Sequence, residues 1–161
     1  MRAFLLGLAL LLAPPAALAE DVAPMTDRPG WSVIATEHSY DALLERLRSA
    51  VKAQKFGLVT EAGPTGVAKS RGVEIPGNRV VGVFRNDYAV RILRLSTAAM
   101  IEAPIRFYVT ENADGTATLA YKTPSVVFDP YFADAEADLR VAAEELDAAF
   151  AAIAAAATAA E

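Results

Sequence analysis

The clearest hydrophobic and polar alternation in the chain lies between Ala103 and Pro124. Ile105, Phe107 and Val109 alternate with Arg106, Tyr108 and Thr110, and Ala117, Leu119 and Tyr121 alternate with Thr118, Ala120 and Lys122. The connection Glu111 to Gly115 between them carries Asn, Asp and Gly, so the stretch predicts a β-hairpin with one apolar and one polar, long-chained face. Upstream, Trp31 to His38 also alternates, with Trp31, Val33 and Ala35 set against Ser32, Ile34 and Thr36. That pattern predicts a short strand with one buried and one mixed face.

The period then changes from two to that of a helix. Tyr40, Leu43, Leu44, Leu47 and Val51 share one face while Glu45, Arg46, Arg48 and Lys52 occupy the other, with Ser39 placed as N-cap and Asp41 in the first turn. Phe56 to Glu61 predicts a second strand. Residues 62 to 78 are rich in Gly and Pro and predict a long loop, with a short helical turn near Val67 to Ser70.

Arg79 to Arg85 is nearly continuous in apolar residues, as in a strand covered on both faces, and Gly82 marks a point of close approach. A second helix follows, with Asn86 as cap, a stripe of Tyr88, Ile92, Leu95 and Ala99, and Pro104 as its end. After Pro124 the segment SVVFDP reads as irregular or as a short strand. Phe132, Ala135, Leu139, Ala142, Leu146, Phe150 and Ile153 then mark a long amphipathic helix covering at least Ala133 to Ala152. Its alanine-rich end, residues 154 to 161, has helix propensity but little side chain to pack, and is expected to fray or to extend beyond the domain.

These elements, in the order β-α-β-β-α-β-β-α, predict an α+β fold: a two-layer sandwich of a mainly antiparallel sheet with helices on one face. One domain is expected over residues 31–153, preceded by a polar, flexible leader over 20–30.

Composition adds location. Arg2, the apolar run Ala3 to Ala13, the Pro14-Pro15 break and Ala17-Leu18-Ala19 before Glu20 have the layout of a secretory signal peptide cleaved after Ala19. The apolar run is too short for a membrane span of roughly 20 residues. The chain is therefore expected to be exported and periplasmic, soluble, and not inserted in a membrane after cleavage.

The 161 residues include no cysteine, which excludes disulfides, thiol redox chemistry and thiolate metal sites. The formal net charge of −5 becomes more negative when Arg2 leaves, and no polybasic run is present. Nucleic acid is accordingly not an expected partner.

Several short blocks together point to a family. They are Thr36-Glu37-His38-Ser39-Tyr40, Gly72-Val73-Glu74-Ile75-Pro76, Val83-Phe84-Arg85-Asn86, Ala103-Pro104-Ile105-Arg106-Phe107, and Asp114-Gly115 with Leu119-Ala120-Tyr121-Lys122-Thr123-Pro124. In this order and spacing the chain resembles the DUF302 family of small α+β domains of unknown function. The resemblance implies a homodimer and supplies no reaction.

No catalytic residue or cofactor is assigned. Gly63 to Ser70 superficially suggests a phosphate loop, but Ala68 precedes Lys69 and the glycine spacing is wrong. His38 is the single histidine; Ser39 beside it is better explained as a helix cap, and one histidine without cysteine makes no metal cluster.

The candidate ligand-binding residues are Arg85, Arg106, Tyr108, Tyr121, Lys122 and His38. Arg85, Arg106, Tyr108 and Lys122 carry the expectation of a cationic, aromatic-edged patch for an anionic or amphipathic small ligand. The polar outer face of a one-sided sheet is the competing explanation. A pocket enclosed by sheet, helix and loop 62–78 beside Phe84, Phe107, Tyr108 and Tyr121 is the leading arrangement, with a structural or interaction module as the alternative and an enzyme third. Arg79, Arg85, Arg91, Arg94 and Arg106 also stand against an acid-rich segment from Asp129 to Asp147, within one chain or across a dimer.

Overall fold

A computed structural model describes residues 22–160. The proposed signal peptide lies outside them. Among the described residues the strands are β1 (Trp31–Ser39), β2 (Gly57–Ala62), β3 (Asn78–Phe84), β4 (Ile105–Glu111) and β5 (Thr116–Lys122). The helices are α1 (Tyr40–Ala53), α2 (Thr65–Ser70), α3 (Asn86–Leu95), α4 (Pro124–Phe128) and α5 (Glu136–Thr158), with 3₁₀ turns at Ala98–Glu102 and Asp129–Asp134. The sheet order is β1-β5-β4-β3-β2 and every neighbouring pair is antiparallel. The α+β two-layer sandwich expected from the pattern is the fold observed.

The hairpin fixes the two faces. Phe107 pairs with Tyr121 and Val109 with Leu119, so their side chains stand on one side together with Val81, which pairs with Phe107. This side is covered by α1 and α5, and Val81, Phe107, Val109 and Leu119 are fully buried there with Leu43, Leu47, Leu139 and Phe150. Phe150 stacks on Phe107 at a ring separation of 4.5 Å, and Tyr121 stands edge-on to Phe107 at 5.1 Å. Fully burying each such large side chain stabilises the fold by about 2 kcal/mol.

On β1 the buried side is that of Ile34 and Thr36. Thr36 is satisfied by donating to Ala117 O at 2.7 Å. Trp31 and Val33 face the other way, half-buried.

β3 departs from its expected cover on both faces. Val81 and Val83 lie beneath the helices, but Val80 is only half-buried on the opposite side. Gly82 is tightly covered there: a Cβ would lie 2.1 Å from Thr60 Oγ1 and 3.1 Å from Pro104 Cγ. The close approach is made by the chain's own neighbours.

Helix boundaries depend on side chains that sequence pattern alone does not rank. Ser39 caps α1 by accepting from Ala42 N at 3.4 Å. Arg85, the last extended residue, occupies the N-cap position of α3, so Asn86 is already helical. That helix ends at Ser96, well before Pro104, because Ser96 Oγ accepts from Ala99 N at 3.1 Å to start the following turn and also donates to Asp134. SVVFDP, read as irregular or strand, begins as the helix α4 with Pro124 in its first turn, where a missing N–H costs nothing.

The alanine-rich end does not fray where expected. α5 continues to Thr158, and Ile153, Ala154 and Ala157 are buried. Arg46 of α1 donates to Ala157 O at 2.9 Å and to Ala159 O at 2.7 Å, satisfying terminal carbonyls that lack helical partners. The leader is likewise tied down at its end: Thr123 N donates to Gly30 O at 3.0 Å, and Trp31 N to Arg28 O at 3.1 Å.

Candidate functional site

The uncovered side of the sheet follows from the same register. Because Phe107 pairs with Tyr121, Arg106 and Lys122 are the next residues along and emerge together on the opposite face. Trp31 pairs with Lys122, Tyr108 with both Ala120 and Val80, and Asn78 with Thr110. This face carries a groove of about 520 Å³ lined by Trp31, Asn78, Val80, Arg106, Tyr108 and Lys122, with Glu102 and Val127 in the same lining. Such a volume suits a small organic molecule.

Its electrostatics are uneven. Lys122 Nζ lies 5.6 Å from the centre of the Trp31 ring and the Arg28 guanidinium 5.9 Å from it. Arg106 and Lys122 are exposed, and among the described residues neither forms an ion pair. Glu102 is engaged separately: the Tyr131 hydroxyl donates to it at 2.7 Å, and that bond raises the Tyr131 pKa above its ordinary value. At the other end no charged residue lines the groove, and Asn78 Nδ2 donates to the Tyr108 hydroxyl.

The six candidate residues are thus divided among three places. Arg106, Tyr108, Tyr121 and Lys122 all line the groove. The Tyr121 ring nevertheless packs into the core against Phe107 and Phe150, leaving the residue 5% exposed, because one residue along a strand reverses the face.

Arg85 stands at the far end of the helical layer, over Tyr88 at 4.4 Å and Phe56 at 5.3 Å. It grips Asp87 through bonds of 2.8 and 2.7 Å, which hold the Asp87 carboxyl down at about 2. His38 Nε2 sits 2.9 Å from Ala159 O, where a ring N–H donates to the end of α5.

The enclosed pocket between sheet and helices is also corrected. The space left near Phe56, Ile92, Met100 and Phe150 is about 30 Å³, the room of a single water, so the core is filled by its own side chains. Phe107, Tyr108 and Tyr121 do line one cavity, the groove of the other face, although the side chains of Phe107 and Tyr108 point to opposite sides of the sheet.

Trp31, Asn78 and Val80 are groove residues that the sequence reading did not select. Their signal was available as cross-strand register: each follows once β1 and β3 are paired on either side of the hairpin. Of the two charge-biased segments, Arg91 and Glu145 meet at 2.8 Å within the chain. The Gly63 to Ser70 segment contains the short exposed α2, whose Thr65 hydroxyl donates to Pro76 O at 3.2 Å. Among the described residues no group of three or more acids or histidines is placed to hold a metal, and no helix is long and apolar enough to cross a membrane.

Fold and site together define a small α+β domain with one helix-covered and one open sheet face. Residues 32–157 match the family described as Domain of unknown function DUF302, and the chain belongs to that family. Among solved structures it is similar to the crystal structure of an uncharacterized conserved DUF302 protein from Bacillus stearothermophilus. That structure shares 16% sequence identity and a TM-score of 0.69, with 78% of this chain and 96% of that chain covered; the likeness is one of fold. None of the curated proteins compared matches the chain.

Proposed function

We propose that this protein is an exported, periplasmic binding domain whose open sheet face takes up a small amphipathic organic anion without transforming it. One observation carries the reading: two cations without carboxylate partners, Arg106 and Lys122, stand beside Trp31 and Tyr108 in a groove large enough for such a molecule. An apolar body gains from covering the aromatic and aliphatic floor, and an anionic group gains charge-assisted bonds at the cations. The first nineteen residues support export.

Trp31 is the single tryptophan and lines the groove, so its fluorescence reports occupancy. Titration with phenylacetate and with the matching amine should give saturable change for the carboxylate alone. Arg106→Ala combined with Lys122→Ala should weaken it about tenfold or more. Equal responses to acid and amine, or none, would overturn the reading.

A second reading is association of two copies through this face. It is favoured by Ile101, 79% exposed, and Val126, which adjoin the groove-lining residues Glu102 and Val127 in sequence. Sedimentation across a wide concentration range tests it: a monomer throughout removes it.

A further inference from the structure

The groove has a direction as well as a volume. It crosses strands in the spatial order β3, β4, β5, β1, with Val80 and Asn78 on β3, Tyr108 and Arg106 on β4, Lys122 on β5 and Trp31 on β1. Charge is confined to one end: Arg106 and Lys122 line it there, Arg28 lies over Trp31, and Glu102, also in the lining, is held by Tyr131. The β3 end is formed by Val80, the Tyr108 ring and the Asn78 amide, without any charged lining residue.

Resting on the binding reading above, we infer that the ligand is an unbranched medium-chain carboxylate. Its head lies at Lys122 and Arg106, and its chain runs obliquely over Tyr108 to Val80. Two strand spacings of about 4.8 Å, combined with one two-residue step along a strand, give a diagonal of about 12 Å. A zigzag chain of roughly eight to ten carbons, with bonds of about 1.5 Å, covers that distance. A compact anion would leave the Val80 end wet, whereas a longer chain would pass beyond Asn78 into solvent.

The reason for a flat, straight chain is the floor itself. Ala120, between Tyr108 and Val33 in the register, is itself only 1% exposed, and Gly82 beside Arg106 is already covered by Pro104 and Thr60. The track open to an apolar chain therefore runs along Tyr108 to Val80. The Asn78 to Tyr108 hydrogen bond lies at its end and fixes the phenol over the floor.

The test uses the full chain, Trp31 fluorescence and the straight-chain series from butanoate to tetradecanoate, each below its micelle concentration. Affinity should rise about threefold per added methylene while the chain still finds apolar floor, and level off near decanoate. Val80→Thr, a change of nearly constant size, should weaken decanoate about threefold and leave butanoate unchanged.

If butanoate and decanoate bind equally and both depend on Arg106 and Lys122, the medium-chain assignment fails while the anion-binding reading stands. A rise that continues unbroken to tetradecanoate likewise overturns the assigned length. If no carboxylate binds in a manner sensitive to Arg106 and Lys122, the underlying reading fails and takes this inference with it.

Discussion

Two tyrosines on one hairpin have opposite environments. Tyr121 lies beneath α5, edge-on to Phe107, while Tyr108 lies across the sheet with its hydroxyl accepting from Asn78. The hairpin pattern is the same around both, and what separates them is the layer above. On the covered face, α1 and α5 supply Leu47, Leu139, Phe150 and Ile153, and the cavity left is the size of one water. On the other, a groove remains, lined by Trp31, Arg106 and Lys122 together with Glu102 and Val127. Burial is concentrated on one side of a single sheet, and an accessible groove lies on the other.

That contrast can be broken most directly by truncating each tyrosine. Tyr121→Ala should lower unfolding free energy by about 3 to 4 kcal/mol, through lost burial plus the cavity it leaves. Tyr108→Ala should cost about 1 kcal/mol or less and instead abolish discrimination between short and medium-chain ligands. Urea unfolding measures the first quantity, and a similar loss from both variants would mean that the open face is as structural as the covered one.

A smaller effect concerns how the covering layer is held. Arg46→Ala removes both bonds to the terminal carbonyls of α5 and should destabilise by about 1 kcal/mol. Hydrogen exchange should show the loss confined to the last turns of α5, leaving the β4–β5 amides protected. Uniform acceleration across the sheet would show that the helix end is coupled to the entire core.

The smallest expected effect is on pH. Arg48 binds Glu61 in bidentate fashion at 2.8 and 2.6 Å and holds its carboxyl below the ordinary range, as Arg85 does for Asp87. Since both folded values are depressed, the stability these pairs add is fully present above the ordinary carboxylate range. It is lost as pH falls towards about 2, where Asp87 takes up its proton. Surface pairs of this kind contribute up to about 1 kcal/mol. Thermal melts of the protein and of Glu61→Gln should converge as pH falls below the ordinary carboxylate range, and a constant gap would remove the Arg48 pair as its cause.

Much of the fold was readable because local period and burial agree. The alternation from Ile105 to Lys122 specified two strands, their apolar face and the hairpin between them, and the 3.6-residue stripes of α1 and α5 specified what could cover that face. Family membership was likewise carried by short blocks that include the residues flanking this hairpin. Local signals were weaker at helix ends, where Ser96 bonding to Ala99 and Asp134 outweighed the continued stripe to Ala99. The alanine tail is held by contacts that no local pattern contains: Ala154 and Ala157 are buried in the core, and Arg46 donates to the terminal carbonyls.

The candidate site was only half legible. By itself the sequence determined that Arg106, Tyr108 and Lys122 share a face, since side chains alternate along any strand and the hairpin turn fixes how the two strands align. It also determined that no thiol chemistry is available, because the chain has no cysteine. Only the tertiary structure decided that β1 lies beside β5 and β3 beside β4, which brings Trp31 to Lys122 and Val80 to Tyr108. It also sent Arg85 and His38 elsewhere and filled the core around Tyr121. Strand pairing across many residues of sequence is a cooperative outcome of burying the helices against one face, and no local pattern contains it.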